Sequence, residues 1–337
     1  MDTSKRSALA AFIAREAGAR NVTITHCERL SGGAIQENWR IEGSIDGGPH
    51  EGALDAVLRT DAPSGVGISH SRAEEFALLR AAYARGVSVP EPLWLCTDNA
   101  VLGRPFCLMR HAAGSAAGHL LVKDAQFGGD RKQLAWRLGS ELARIHAIAP
   151  APGELAFLQR GDGAPALRMV ARYRTWLDTQ ALPRPALEWG LRWLERHAPP
   201  ASQDVLCHRD YRTGNYLVDA GGLTAILDWE FAGWSDPLED IGWFCAKCWR
   251  FGANDREAGG IGQREDFYRG YEEESGAPLA RGQVHYWEVM AHLSWAIIAL
   301  QQAERHSSGE ERSLMLALTG HKVPELEYEI LNMTREA

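Results

Sequence analysis

Residues 204–240, DVLCHRDYRTGNYLVDAGGLTAILDWEFAGWSDPLED, constrain this chain more than any other stretch, because acidic and amide side chains recur there at fixed offsets. His208-Arg209-Asp210 is followed after four residues by Asn215, and Asp228 lies eighteen residues beyond Asp210. Between Asn215 and Asp228, the short apolar runs Tyr216-Leu217-Val218 and Leu223-Thr224-Ala225-Ile226-Leu227 flank Asp219-Ala220-Gly221-Gly222. Two apolar runs around a glycine-rich turn predict a β-hairpin, which would bring Asn215 and Asp228 to the same end.

These residue types suit phosphoryl transfer. Moving a γ-phosphoryl group demands positioning and charge neutralisation, so a protein must supply a carboxylate to orient and deprotonate the attacking hydroxyl, and oxygen ligands for Mg²⁺. H-R-D-x-x-x-x-N followed by a metal-binding aspartate is the pattern of a kinase catalytic loop. Asp210 is therefore the expected catalytic base, and Asn215 and Asp228 the expected metal ligands. A hard cation prefers such carboxylate and amide oxygens, together with water and phosphate. Taken singly, each fragment is an ordinary turn around a hairpin; their joint order and spacing carry the kinase reading.

A chain of 337 residues holds two domains or one two-lobed enzyme, and 45% hydrophobic composition with 12 tryptophans supplies the apolar area for substantial cores. The formal net charge of −8 argues against a general nucleic-acid binder, since phosphate backbones attract excess lysine and arginine. The first twenty residues are too charged, and their apolar run too short, for a signal peptide, and no segment reaches the ~18 apolar residues of a membrane span. A cytoplasmic protein without membrane or nucleic-acid partners is expected. The six cysteines are scattered, so Cys245 and Cys248 are read as packed thiols rather than a zinc or redox pair.

Read in order, residues 4–18 have helical periodicity through Leu9, Phe12, Ile13 and Ala17, and residues 22–30, 35–45 and 53–60 read as strands of a small antiparallel sheet. Ser31, Gly32 and Gly33 fall where a phosphate-covering loop would lie, because glycine lets backbone N–H groups approach an anion. A kinase also needs a cation on the third strand that pairs with a helix glutamate. There is no lysine between Lys5 and Lys123, so Arg59 is assigned that place and Glu75 of the following helix becomes its partner. Two further strands, 93–96 and 106–110, end in Met109, Arg110 and His111, whose backbone groups are expected to meet the nucleobase. From residue 131 the pattern is helical, over 131–148, 166–180, 185–196, 238–249, 263–274, 283–305 and 311–332, while 112–130 and 252–262 read as loops. His146, late in its helix, is read as a packed or hydrogen-bonded histidine.

Together these segments resemble the aminoglycoside phosphotransferase and choline kinase superfamily, relatives of the protein kinases. The resemblance is carried by His208-Arg209-Asp210-Tyr211-Arg212-Thr213-Gly214-Asn215, Ile226-Leu227-Asp228-Trp229-Glu230 and Ser235-Asp236-Pro237-Leu238-Glu239-Asp240. It implies an α+β, two-lobed protein-kinase-like fold: a nucleotide-binding lobe over residues 1–111 with a small antiparallel sheet and one key helix, and a larger, mainly helical catalytic and acceptor-binding lobe over 112–337. It implies ATP, with GTP as the open alternative, together with Mg²⁺ and a small-molecule hydroxyl acceptor, and it makes Asp236 and Asp240 structural supports of the catalytic segment. Asp228 is followed by Trp-Glu rather than Phe-Gly, and Asp236-Pro237 leads directly into a helix, which disfavours a protein kinase. The spelling Tyr211-Arg212-Thr213-Gly214-Asn215 and the arginine in place of lysine resemble kinase domains associated with acyl-CoA dehydrogenases, some of which phosphorylate hydroxyacyl-CoA thioesters. A hydroxyacyl-CoA, an aminoglycoside and an amino-alcohol thus stand as acceptors. The acidic run at 265–274 would suit a polycation if it lined the acceptor site, although such runs are ordinarily solvated helix faces. The missing lysine keeps a catalytically silent nucleotide-binding protein as the alternative, and the oligomeric state is open.

Overall fold

Leu54, Ala56, Leu58 and Thr60 are buried and alternate with Asp55, Val57 and Arg59, so this strand must bury one face in a core and present a polar face on the other side. In the computed structural model, which describes residues 1–30, 36–61, 69–124, 127–200 and 204–335, it is the central strand of a five-stranded sheet. The chain begins with α1 (Thr3–Glu16), capped by the Asp2 carboxylate, and continues through β1 (Asn21–Arg29), β2 (Gln36–Asp46), β3 (Gly52–Asp61), α2 (Arg72–Ala84), β4 (Pro92–Cys96), α3 (Asn99–Leu102) and β5 (Phe106–Arg110). The sheet order is β1-β2-β3-β5-β4, every pairing antiparallel. Ile41, Leu54, Leu58, Phe106 and Leu108 pack against Leu9, Phe12 and Ile13 of α1. Arg59 pairs in register with Cys107 and Val57 with Met109, which sets these four on the face turned away from that core. Ser31, Gly32 and Gly33 lie outside the described residues.

The chain divides into two compact units. The first comprises Met1–Gly114, Pro150–Phe157 and Thr224–Phe231; the second comprises Ser115–Ala149, Leu158–Leu223 and Ala232–Ala337. The segment around Asp228 is tied into the first unit by backbone hydrogen bonds from Ile226 N to Ser88 O (2.7 Å) and from His70 N to Glu230 O (2.9 Å).

After the sheet the elements are α4 (Gly118–Lys123), α5 (Arg131–His146), α6 (Pro165–Leu177), α7 (Pro185–Arg196), β6 (Val205–Cys207), β7 (Tyr216–Asp219), β8 (Gly222–Ile226), β9 (Gly233–Ser235), α8 (Pro237–Cys245), α9 (Arg264–Ser275), α10 (Val284–Ser307), α11 (Leu314–Gly320) and α12 (Val323–Met333). The α+β class, with an antiparallel sheet followed by a predominantly helical portion, is the one expected from sequence. Helices α5 and α9 pack backbone to backbone, because Gly139 and Gly270 carry no Cβ: one built on either residue would fall 1.9 Å from a carbonyl oxygen of the facing helix.

Three local readings need correction. The helix expected over 311–332 is broken into α11 and α12, since Pro324 has no N–H to continue a helix and is tolerated in the first turn of a new one. The helix expected over 238–249 stops at Cys245; the Arg250 guanidinium caps the Cys245 carbonyl (2.7 Å) and residues 247–249 form a separate 3₁₀ turn. The stretch 112–130, read as a loop, contains α4. Cys245 and Cys248 are free thiols, and burial pushes Cys245 up to about 12, so it packs as a neutral group. Among the described residues no helix is long and apolar enough to cross a membrane.

Candidate active site

The residues singled out from sequence fall in both units: Arg59, Glu75, Met109, Arg110, His111 and Asp228 in the first, Asp210 and Asn215 in the second.

In the first unit, strand alternation aims Arg59 away from the core, yet it is only 8% exposed. Its Nη2 lies 3.0 Å from Glu75 Oε1 and 2.8 Å from Asp228 Oδ1. The helix start explains why Glu75 rather than Glu74 is its partner. Ser71 and Glu74 form a reciprocal capping box that uses the Glu74 carboxylate at the N-terminus of α2, and Glu75 turns inward instead. The buried Arg72 also bonds Glu75, and its Nε lies 2.7 Å from Asp61 Oδ1. Burial works against the charge on Arg59, but the attraction of Glu75 and Asp228 outweighs it, so the guanidinium holds its proton more firmly than an exposed one. Removing one partner from such a buried set leaves uncompensated charge. Asp228 itself has φ 61°, in the left-handed region that aspartate tolerates better than most residues.

A small pocket is lined by Phe76, Leu79 and Met109 as apolar walls and by Arg59, Glu75 and Asp228 as polar groups. An apolar pocket with a few convergent charged groups is the usual form of a small-molecule site. Beside it, Glu230 is 9% exposed, and burial pushes its carboxyl up to about 7 against the pull of Arg59. The folded chain therefore binds this proton more tightly than the unfolded chain, whose reference value is 4.5, and stability must fall as pH rises between roughly 4.5 and 7. Urea midpoints measured from pH 5 to 8 are expected to decline in the native protein and to decline less in Glu230→Gln.

His111 places Nδ1 3.2 Å from Asp55 Oδ2, and Asp55 is gripped through both oxygens by Arg40 at 3.1 Å. The backbone N–H of Arg110 is donated to Glu91 O (2.8 Å) and that of His111 to Asp55 O (3.1 Å), so both donors are engaged. The Arg110 side chain is exposed and pairs with Glu91.

In the second unit, the segment 208–215 is fastened from below by Asp240. This fully buried carboxylate accepts the backbone N–H groups of His208 and Arg209, both at 2.7 Å, and a third bond from His146 Nε2 at 3.1 Å. His146 is held in turn by the Tyr271 hydroxyl at 2.8 Å. Asp236 caps α8 by accepting from Leu238 N at 2.8 Å. The turn above this brace is sharp: Arg209 has φ 64° and Gly214 φ 108°, and a side chain at Gly214 would also crowd Arg212 Nη1, at 3.1 Å from a built Cβ.

Asp210 emerges from this turn with its carboxylate hydrogen-bonded by Asn215 Nδ2, Arg212 Nε (3.0 Å) and Trp243 Nε1 (3.0 Å). Asn215 spends its Nδ2 on Asp210, and among the described residues none is recorded donating to its Oδ1. Sequence reasoning missed Arg212, Trp243 and Arg72. Arg212 stood inside the motif and could have been noticed as a cation two residues from the base; Trp243, 33 residues downstream, carries no sequence signal. Four of the five acids of α9 are engaged within their own unit: Asp266 with Arg269, Glu272 with Arg281, Glu273 with Trp136 Nε1, and Glu274 with Arg144 and Ser140.

The model of a family described as phosphotransferase enzyme family matches residues 26–278. Acyl-CoA dehydrogenase family member 10 of Mus musculus is 30% identical over 200 residues, 56% of this chain and 18% of that protein, so the chain spans about a fifth of that relative's length. A Ralstonia eutropha JMP134 protein classed with the aminoglycoside phosphotransferases has a crystal structure that superposes with a TM-score of 0.72 at 19% identity, covering 98% of both chains. A spectinomycin phosphotransferase solved with ADP and spectinomycin superposes with a TM-score of 0.62 at 13% identity, covering 96% of this chain and 98% of its own. At these identities the two structures establish a shared fold.

Proposed function

The chain belongs to the phosphotransferase enzyme family, and from that premise we propose that it transfers the γ-phosphoryl group of ATP to a hydroxyl group of a small molecule. In this reading Asp210 orients the acceptor hydroxyl and takes its proton as the acceptor oxygen bonds to the γ-phosphorus; the bond from phosphorus to the bridging oxygen breaks, and ADP leaves with that electron pair. Asn215 and Asp228 offer hard oxygen donors of the kind Mg²⁺ prefers, and the Asn215 amide, with its nitrogen turned to Asp210, has its oxygen available for a cation. When bound, Mg²⁺ would neutralise charge on the transferring phosphates. Arg59, steadied by Glu75, would supply the protein's own cation to the phosphates, and the end of β5 at Met109, Arg110 and His111 would border the nucleobase.

The observation that carries this reading is the Asp210 carboxylate held by Asn215 on a loop braced from beneath by Asp240. A general base must be held in a fixed direction to act on a bound hydroxyl, and this loop provides such a base. For the acceptor we favour a hydroxyacyl-CoA over an aminoglycoside or an amino-alcohol. The likeness to an acyl-CoA dehydrogenase family member supports it, and the engaged acids of α9 weaken the case for a polycation. The test is ADP release from ATP and Mg²⁺ with hydroxyacyl-CoAs, aminoglycosides and amino-alcohols, using Asp210→Asn as the blank. Release no faster than the blank with every acceptor would reject the enzyme in favour of a silent nucleotide-binding protein.

Arg59 gives a second measurement. A charge-assisted hydrogen bond contributes about 1.5–3 kcal/mol, so Arg59→Met is expected to lower kcat/KM for ATP by roughly 10- to 150-fold. Arg59→Lys, which restores a cation but not the fork that bonds Glu75 and Asp228 together, should fall between the two. Steady-state kinetics at varied ATP reads both, and an unchanged Arg59→Met protein would remove Arg59 from the phosphate site.

A further inference from the structure

An ionised carboxylate offers about four lone-pair sites, and the protein itself occupies three on Asp210. Oδ1 accepts from Arg212 Nε and from Trp243 Nε1, each at 3.0 Å, and Oδ2 accepts from Asn215 Nδ2. The two donors on Oδ1 are themselves immobilised. The Arg212 guanidinium carbon lies 4.6 Å from the centroid of the Trp249 ring, in cation–π contact. Trp249 packs against Trp243 (5.1 Å between ring centroids) and Trp295 (4.8 Å), and Trp243 and Trp249 are each only 8% exposed. Gly214 leaves the space the guanidinium needs.

We propose that Arg212 and Trp243 are positioning residues for the reaction: they pin Oδ1 of Asp210 so that the one lone pair left, on Oδ2, receives the proton of the acceptor hydroxyl. The inference rests on the reading of Asp210 as the base. Its physical content is rotational. The terminal torsion of an aspartate is broad and two-fold, so an unpinned carboxylate would present its two oxygens interchangeably and spend much of its time misdirected. Indole and guanidinium are donors only, and neither can take over the proton or relay it away. Two donors on one oxygen, backed by three packed indole rings, select one rotamer and one oxygen.

The native chain is compared with Trp243→Phe, which keeps an aromatic ring and deletes the donor, with Arg212→Met, with the double variant, and with Arg212→Lys. Turnover of ATP and Mg²⁺ is followed by ADP release, with water or any productive acceptor. Each single variant is expected to lose about tenfold in kcat while KM for ATP stays within twofold, a split that a general loss of structure would not give. The double variant is expected to lose little more than either single one, because both donors serve the same oxygen. Arg212→Lys is expected to remain low, since it keeps the charge without the Nε donor or the flat stacking face. Turnover within twofold of native in Trp243→Phe, or full rescue by Arg212→Lys, would overturn the proposal. A second measurement, the indole N–H resonance that Trp243→Phe deletes, should move in both Asp210→Ala and Arg212→Met; a resonance indifferent to both would overturn it as well. If the native protein releases no ADP beyond Asp210→Asn, the kinase reading fails separately, and the indole resonance alone decides whether the clamp exists.

Discussion

Asp210→Asn is expected to lower kcat by at least about a hundredfold, and by up to about ten-thousandfold, the span over which a positioned general base contributes. The substitution is close to isosteric. An asparagine still offers one oxygen to Arg212 and Trp243, and Asn215 must turn its amide so that its oxygen accepts from the new NH₂; the neutral amide cannot take the acceptor's proton. Affinity for ATP should change little, because Asp210 is given no nucleotide contact in this reading. Steady-state ADP release, paired with nucleotide titration of the same protein, checks both halves of the expectation. A variant that turns over within a few-fold of the native protein would show that another group accepts the proton.

Asp240→Ala should give the largest loss of stability. The native carboxylate is fully buried and accepts three hydrogen bonds, from the backbone of His208 and Arg209 and from His146. Alanine would leave two backbone N–H groups and an imidazole without an acceptor. At about 1–3 kcal/mol for each buried group left unsatisfied, the sum is roughly 4 kcal/mol or more, a large share of the 5–15 kcal/mol typical of a folded protein. Arg209 also sits at φ 64°, a conformation a non-glycine residue keeps only while its surroundings enforce it, so kcat should fall together with stability.

The pH dependence carries a definite sign. Burial alone would raise the Asp240 carboxyl, but the hydrogen bond and charge of His146, with His208 and the Arg209 N–H, outweigh it and hold the group below its reference value of 3.8. The native state thus binds this proton less readily than the unfolded chain. The stabilisation is present above about pH 4 and is lost as pH falls through the depressed native value. Urea midpoints below about pH 4 should drop for the native protein, while Asp240→Ala, already destabilised, should show a flatter limb there.

Much of the architecture was legible because it depends on short-range patterns. The strand over 53–60 was legible from its apolar residues, and Arg59 from the absence of any lysine between Lys5 and Lys123; the structure adds that strand alternation turns Arg59 away from the core. Helix ends were less legible where one residue decides them: Pro324 splits a continuous apolar pattern, and Arg250 closes α8 from five residues beyond its last turn. The acidic run of α9 could be read as a polycation site or as a solvated face; its partners Arg144, Arg281 and Trp136 come from segments that sequence spacing does not connect to it.

The sequence by itself determined the inventory of chemistry: a base candidate, two candidate oxygen ligands, an arginine where a lysine is usual, and the sheet-then-helix order that makes the chain α+β. Those features follow from residue type and from offsets of a few residues, which backbone geometry converts directly into local structure. Only the tertiary structure decided the partners. Arg59 meets Asp228 across 169 residues of chain, Trp243 reaches Asp210 across 33, and His146 supports Asp240 across 94. Hydrogen bonds of this kind have no period and no fixed spacing. They exist because packing brings distant side chains within about 3 Å, and that distance is a property of the fold rather than of any stretch of sequence.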